Sequence, residues 1–196
     1  FADLVGFTAL CEELEPRVLV RVLNGYFDRM SRAIAANGGR VATFVGDGLL
    51  AFFGALHPNP WQGDDAARAA LAMREALEAY NRELEAEGIP ALHIGIGLHR
   101  GTGVAGLVGS GDLKEFTFVG RTVNVAARVQ ERTREHPADV IVTGALAETL
   151  DPRFALRALP RTSLKGVAEP VALHALDGLA DEACSTAAST GRRDPS

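Results

Sequence analysis

From Pro16 to about residue 36, apolar side chains return every three or four positions: Val18, Leu19, Val22, Leu23, Tyr26, Phe27, Met30 and Ile34. That period lays them along one stripe of a helix, with Pro16 suited to its first turn and "NGG" at 37–39 ending it. A second helical pattern runs from Asp64 to Glu87, with Leu71, Leu77, Tyr80 and Leu84 on one side and Asp64 in the place of an N-cap. Between the two helices the period drops. "RVATFVGDGLLAFFG" is two short apolar runs around "GDG", the pattern of a hairpin with Asp47 in its turn. "ALHIGIGLHRGTGVAGLVG" alternates apolar residues with glycine and predicts a pair of strands over about 91–108. "EFTFVG" predicts a further strand leading into the helical run "RTVNVAARVQERTRE". A strand at "DVIVT", a short helix near 144–150 and strands near 154–159 and 171–175 follow. From about Asp177 the chain is Ala-, Ser-, Thr- and Gly-rich with few core residues, so the expected organisation is one domain over 1–176 and a linker or frayed tail over 177–196. Paired strands separated by long helices predict an α+β sandwich, with helices packed on one mainly antiparallel sheet.

Composition narrows the partners. A chain of 196 residues that is 47% hydrophobic can bury one good-sized core. A net charge of −5, with 20 scattered Lys and Arg, argues against a surface built to grip nucleic acid. No apolar run approaches the roughly 18 residues of a membrane span, so no membrane contact by this domain is expected. Cys11 and Cys184 match no ligand spacing, which fits a reducing, cytoplasmic setting. The chain opens without Met inside a predicted strand and is expected to be a piece of a longer protein whose regulatory domains lie elsewhere.

Chemistry must come from the loops. Asp3 and Asp47 each sit at a strand edge, Asp47 directly between glycines and Asp3 three residues before Gly6. Two carboxylates on adjacent strands repel unless a cation lies between them; the plainer alternative is that each caps a turn. The stretch "LVGFT" after Asp3 favours the cation, because Phe7 and Thr8 offer backbone N–H groups ahead of a helix, where phosphate oxygens bind. Two other motifs fail. An aspartyl-phosphate phosphatase needs a second Asp two residues after the first, and Val5 stands there. "GTGVAG" at 101–106 has the letters of a dinucleotide fingerprint, but no helical pattern follows it. Asn124 and Arg128, four apart, share one helix face, with Val123, Ala126 and Ala127 available for packing. Taken alone, that pair also fits a structural Asn beside a solvated Arg.

Taken together, "FADLVGFT", "FVGDGLLAFFG", "GLHRGTGVAGLVG", "FTFVGRTVNVAAR" and "LKGVAEPV", in that order over roughly residues 1–175, resemble the class III nucleotidyl cyclases, the adenylate and guanylate cyclase catalytic domains. The resemblance implies a ferredoxin-like α+β unit that works as a homodimer with active sites at the interface. It implies that Asp3 and Asp47 hold two Mg²⁺ or Mn²⁺ ions, one at the ribose 3′-hydroxyl and one at the triphosphate, for in-line attack on the α-phosphate. The products would be a 3′,5′-cyclic nucleotide and pyrophosphate. Asn124 falls on the ribose-orienting residue, Arg128 on the one that neutralises charge at the α-phosphate, and Lys165 of "LKG" on a phosphate-contacting lysine. Metal aspartates from one chain would serve with the Asn–Arg pair of the other.

Base selection departs from the family pattern. Many adenylate cyclases carry Lys four residues before the second metal aspartate, where this chain has Thr43; a guanylate enzyme would show Glu. Thr117, the second base-reading position, is among the usual adenylate choices, while Leu113 stands where many relatives place Arg. The resulting expectation is an adenylate cyclase acting on ATP with relaxed purine choice. The alternatives are a weak or inactive nucleotide-binding regulatory module and a purely structural dimerisation domain.

Overall fold

The structure is a computed structural model that describes residues 1–55, 59–111, 113–167 and 169–180. In chain order its elements are β1 (Ala2–Val5), α1 (Phe7–Glu13), α2 (Pro16–Ala36), β2 (Arg40–Val45), β3 (Gly48–Phe52), α3 (Gln62–Ala86), β4 (His93–Leu98), β5 (Val104–Ser110) and β6 (Leu113–Val119). They continue with α4 (Arg121–Glu131) and a 3₁₀ turn (Arg132–Arg134), then β7 (Val140–Thr143), α5 (Gly144–Ala147), β8 (Phe154–Thr162) and β9 (Val171–Leu179). Seven strands form one sheet in the order β2-β3-β1-β4-β7-β9-β8, antiparallel throughout except for the β4–β7 pair. The run β1-α2-β2-β3-α3-β4 with strand order 2-3-1-4 is the split βαβ arrangement of a ferredoxin-like unit, as expected.

The sheet is covered unequally on its two faces. Ala2, Leu4, Leu49, Ile94 and Ile96 alternate toward α2 and α3 and bury with Tyr26, Met30, Leu77 and Leu84 in the main core. The residues between them on β4 are Gly95 and Gly97, and α4 lies against these. A Cβ on Gly97 would collide with the backbone of Ala126 and Gln130, so only glycine lets α4 approach this closely. Val125 and Val129 then bury with Ile141, Leu164 and Leu173 in a smaller second core.

Three expectations are corrected. The strands over 91–108 are not partners: β4 belongs to the large sheet, whereas β5 pairs with β6 in a separate ribbon. Period-2 alternation cannot tell which strand is the neighbour. Asp64 is not the N-cap of α3, which starts two residues earlier at Gln62; it is buried and its Oδ1 accepts the Asp151 N–H at 2.9 Å. The last strand continues through Asp177–Leu179, into the stretch expected as tail, because Leu176 and Leu179 still pack on the core and Arg157 pairs with Asp177. Residues 181–196 of that tail lie outside the described residues. Among the described residues no helix is long and apolar enough to cross a membrane.

Candidate active site

Asp3 is on β1, flanked by Ala2 and Leu4, which point into the main core. Alternation therefore turns Asp3 to the opposite face, the one α4 covers, where it pairs across to Gly95. Asp47 lies in the two-residue turn between β2 and β3. Gly46 takes the left-handed conformation there, φ 62°, which glycine adopts without strain. Gly48, next in the chain, passes under β1: a Cβ on it would stand 2.9 Å from both Ala2 O and Asp3 Oδ1. No side chain can separate Asp3 from the hairpin turn, and the two carboxylates meet.

That meeting has an electrostatic signature. The Asp3 carboxyl is pushed above the usual carboxylate range, first by burial, then by the Asp47 charge and a hydrogen bond with Asp47, against the opposing pull of Arg134. A carboxyl with a raised folded pKa stabilises the fold fully below its unfolded pKa and loses that contribution as pH rises through the folded value. Ionised Asp3 therefore destabilises the metal-free protein at neutral pH. Asp3→Asn is expected to raise the melting temperature in EDTA at pH 7, with the gain shrinking toward pH 4. A lower melting temperature at pH 7 would contradict the sign. Beneath the pair, the fully buried Tyr26 phenol has no hydrogen-bond partner among the described residues, and burial and both carboxylates push its pKa up, keeping it neutral.

Two hard oxygen ligands side by side, one destabilised by the other's charge, fit a divalent cation such as Mg²⁺ or Mn²⁺. Among the described residues no third His, Cys, Asp or Glu joins them. Phe7 and Thr8 begin α1 directly after Gly6, φ 76°, and as first-turn residues have no intrahelical acceptor for their N–H groups.

The other predicted residues are not gathered at these carboxylates. Asn124 is exposed on α4, and Arg128 one turn on is held by Glu131 at 2.5 Å. Thr43 is on edge strand β2, where a bulge between Val41 and Thr43 shifts the register. Val41 packs on the core, Phe44 turns back to meet Phe27 with ring centroids 4.5 Å apart, and Thr43 faces the side that Asp3 faces. Its hydroxyl donates to Phe44 O at 3.3 Å. Thr117 is half-buried on β6 opposite Gly106, and Lys165 is exposed in the turn after Leu164. A cavity of about 350 Å³ between β3, the β4–β5 loop and the start of α4 is lined by Phe52, His99, Phe118 and Thr122, but not by Asp3 or Asp47. The β5–β6 ribbon rests on the hairpin through Phe52, Phe116 and Phe118, and leaves Val104 and Leu107 72% and 67% exposed.

Sequence reasoning misses Arg134, whose Nη2 donates to Asp3 Oδ2 at 2.9 Å across 131 residues of chain. In "QERTRE" it is one charge among polar residues of a helix end, and nothing local distinguishes it. It also misses Gln130, buried beside Gly95 with its Nε2 unpartnered among the described residues. The alternation of Ile and Gly in "HIGIG" is the available signal for a helix packed closely on β4.

The chain belongs to the adenylate and guanylate cyclase catalytic domain family, whose model matches residues 1–178. It is 32% identical over 190 residues to "Adenylate cyclase 1" of Rhizobium meliloti (strain 1021), covering 97% of this chain and 29% of that protein. It is 32% identical over 181 residues to "Adenylate cyclase" of Anabaena cylindrica, covering 89% and 35%. The chain thus spans about a third of the length of these relatives. Among solved structures, the guanylyl cyclase Cya2 superposes with a TM-score of 0.81 at 32% identity, covering 91% of this chain and 89% of that one. The adenylyl cyclase CyaB from P. aeruginosa superposes with a TM-score of 0.83 at 27% identity, covering 100% and 94%.

Proposed function

We propose that this domain is an adenylate cyclase that converts ATP to 3′,5′-cyclic AMP and pyrophosphate as a homodimer. The observation that carries the reading is the convergence of Asp3 and Asp47 on the face of the sheet that α4 covers. Two divalent cations would supply the charge, one making the ribose 3′-hydroxyl a nucleophile and the other offsetting charge on the triphosphate. The chain's own residues then have separable tasks. Asp3 and Asp47 hold the metals, while the N–H groups of Phe7 and Thr8 and the ammonium of Lys165 receive phosphate oxygens. Asn124 orients the ribose and Arg128 neutralises charge developing on the α-phosphate. In this reading both serve nucleotide held by a second chain; the exposure of Asn124 supports it, and Arg128 would have to leave Glu131 to take part. The exposed apolar ribbon β5–β6 fits a surface that such a chain covers.

The choice of ATP rests on Thr117 and on the two relatives named adenylate cyclase, while Thr43 and the likeness to a guanylyl cyclase predict that the choice is loose. A threonine hydroxyl both donates and accepts, so neither Thr rejects the wrong purine by presenting only one function. The purified chain with Mn²⁺ is expected to form cyclic AMP from ATP, with less efficient formation of cyclic GMP from GTP. Thr43→Lys adds a long donor and is expected to raise the ATP-to-GTP ratio of kcat/KM by roughly tenfold, the scale of one base-edge hydrogen bond. Nucleotide binding without metal-dependent cyclisation of either substrate would replace the enzyme reading with that of a regulatory module. An unchanged ratio in an active Thr43→Lys variant would remove position 43 from base reading.

A further inference from the structure

Arg134 is brought to Asp3 by a specific piece of packing. Gly95, the cross-strand partner of Asp3, has no Cβ, and Thr133 occupies the room this leaves. Thr133 is buried, and its hydroxyl donates to Gln130 O at 2.8 Å, which tightens the chain into the 3₁₀ turn after α4. The next residue therefore projects over β1, and Arg134 Nη2 meets Asp3 Oδ2. Its neighbours are otherwise engaged: Arg132 pairs with Glu135 at 2.6 Å, and Arg128 with Glu131. Among the described residues Asp3 is the partner of Arg134, and Asp47 is the other charged group that acts on Asp3.

We propose that Arg134 is a built-in counter-cation for the metal site, occupying Asp3 while no metal is bound and displaced from it when a divalent cation arrives. The inference rests on the metal reading of Asp3 and Asp47 given above. Three observations carry it. The guanidinium donates to Asp3 Oδ2, so it takes up one of the two oxygens the carboxylate could offer a metal and offsets the charge that would attract one. A guanidinium and a divalent cation on the same carboxylate repel, which makes joint occupancy unfavourable. The Arg134 side chain is 54% exposed, against 20% for Asp3, so it can swing into water more readily than the carboxylate can move. In the metal-free protein the pair offsets part of the repulsion between the two adjacent carboxylates. Its consequence is a metal affinity set lower than the two aspartates alone would give.

The test is direct Mn²⁺ binding, read from the free-ion electron paramagnetic resonance signal, on the chain and on Arg134→Met and Arg134→Lys, with no nucleotide present. Melting curves in EDTA check that each variant is folded. Arg134→Met keeps the aliphatic bulk and removes the competing charge, and is expected to bind Mn²⁺ roughly two- to fivefold more tightly, the range an ion pair of this exposure supports. Arg134→Lys keeps a cation at the site and is expected to stay near the wild-type affinity. Equal or weaker binding by Arg134→Met overturns the proposal, as does equal tightening by both variants, which would point to loosened packing instead. Wild-type protein that binds no Mn²⁺ would overturn the metal reading itself; wild-type binding with an unchanged Arg134→Met overturns this inference alone.

Discussion

Asp47→Asn is expected to reduce cyclic-nucleotide formation by on the order of 10³-fold or more, since a bound metal contributes several kcal/mol of charge stabilisation in the transition state. The fold should survive. Asp47 sits in a two-residue turn with Gly46, whose left-handed backbone sets it, and Asn is as well suited to turns as Asp. Asn keeps the shape and one oxygen but removes the charge that, with Asp3, would draw in a divalent cation. Asp3→Asn is expected to lose activity to a similar degree. The control is the melting temperature with and without Mn²⁺: a ligand that binds only the folded state raises it, and both variants should lose most of that rise. Turnover within tenfold of wild type in either variant, at saturating Mn²⁺, would sink the assignment of the metal to these carboxylates.

Mixing two inactive proteins is expected to restore activity. Arg128→Ala alone should lose about 10² to 10³ in kcat, the scale of removing one group that stabilises transition-state charge. Asp47→Asn chains still offer Asn124 and Arg128, and Arg128→Ala chains still offer both aspartates. A mixed dimer then has one intact site and one doubly broken. Random pairing makes half the dimers mixed, so an equimolar mixture should recover about a quarter of wild-type activity. The measurement is cyclic AMP formation after subunit exchange, with exchange itself followed by a size-tagged partner. Mixed dimers that form and remain dead would show that Arg128 acts within its own protomer and would overturn the shared-site reading.

Features whose causes are local are legible in the sequence. Helix α2 runs over Pro16–Ala36 as the recurrence of Val22, Tyr26, Met30 and Ile34 requires, because helical spacing and burial are the same fact seen along one stripe. The hairpin around Asp47 is equally plain, since glycine at 46 answers a need of the turn itself. Features created by distant neighbours are not legible in this way. The bulge near Ala42 leaves no mark in "RVATFV", yet it alone decides that Thr43 shares a face with Asp3. Asp64 has the look of a cap, but its partner is the backbone of Asp151, 87 positions away.

The sequence by itself determined most element types (helix α1 excepted), the presence of two candidate carboxylates and an Asn–Arg pair one helical turn apart, and, through the order of its motifs, the family. These follow from periodicity and turn chemistry, which act over four or five residues. Tertiary structure alone decided what those residues meet. It joined Asp3 to Asp47 by passing Gly48 under β1, and it paired Arg128 with Glu131. By seating α4 on Gly95 and Gly97 it laid Arg134 over Asp3. The physical reason is that a carboxylate's charge is fixed by its identity, whereas its neighbours, its exposure and therefore its affinity for a cation are fixed by which strands pair and how closely a helix can approach them.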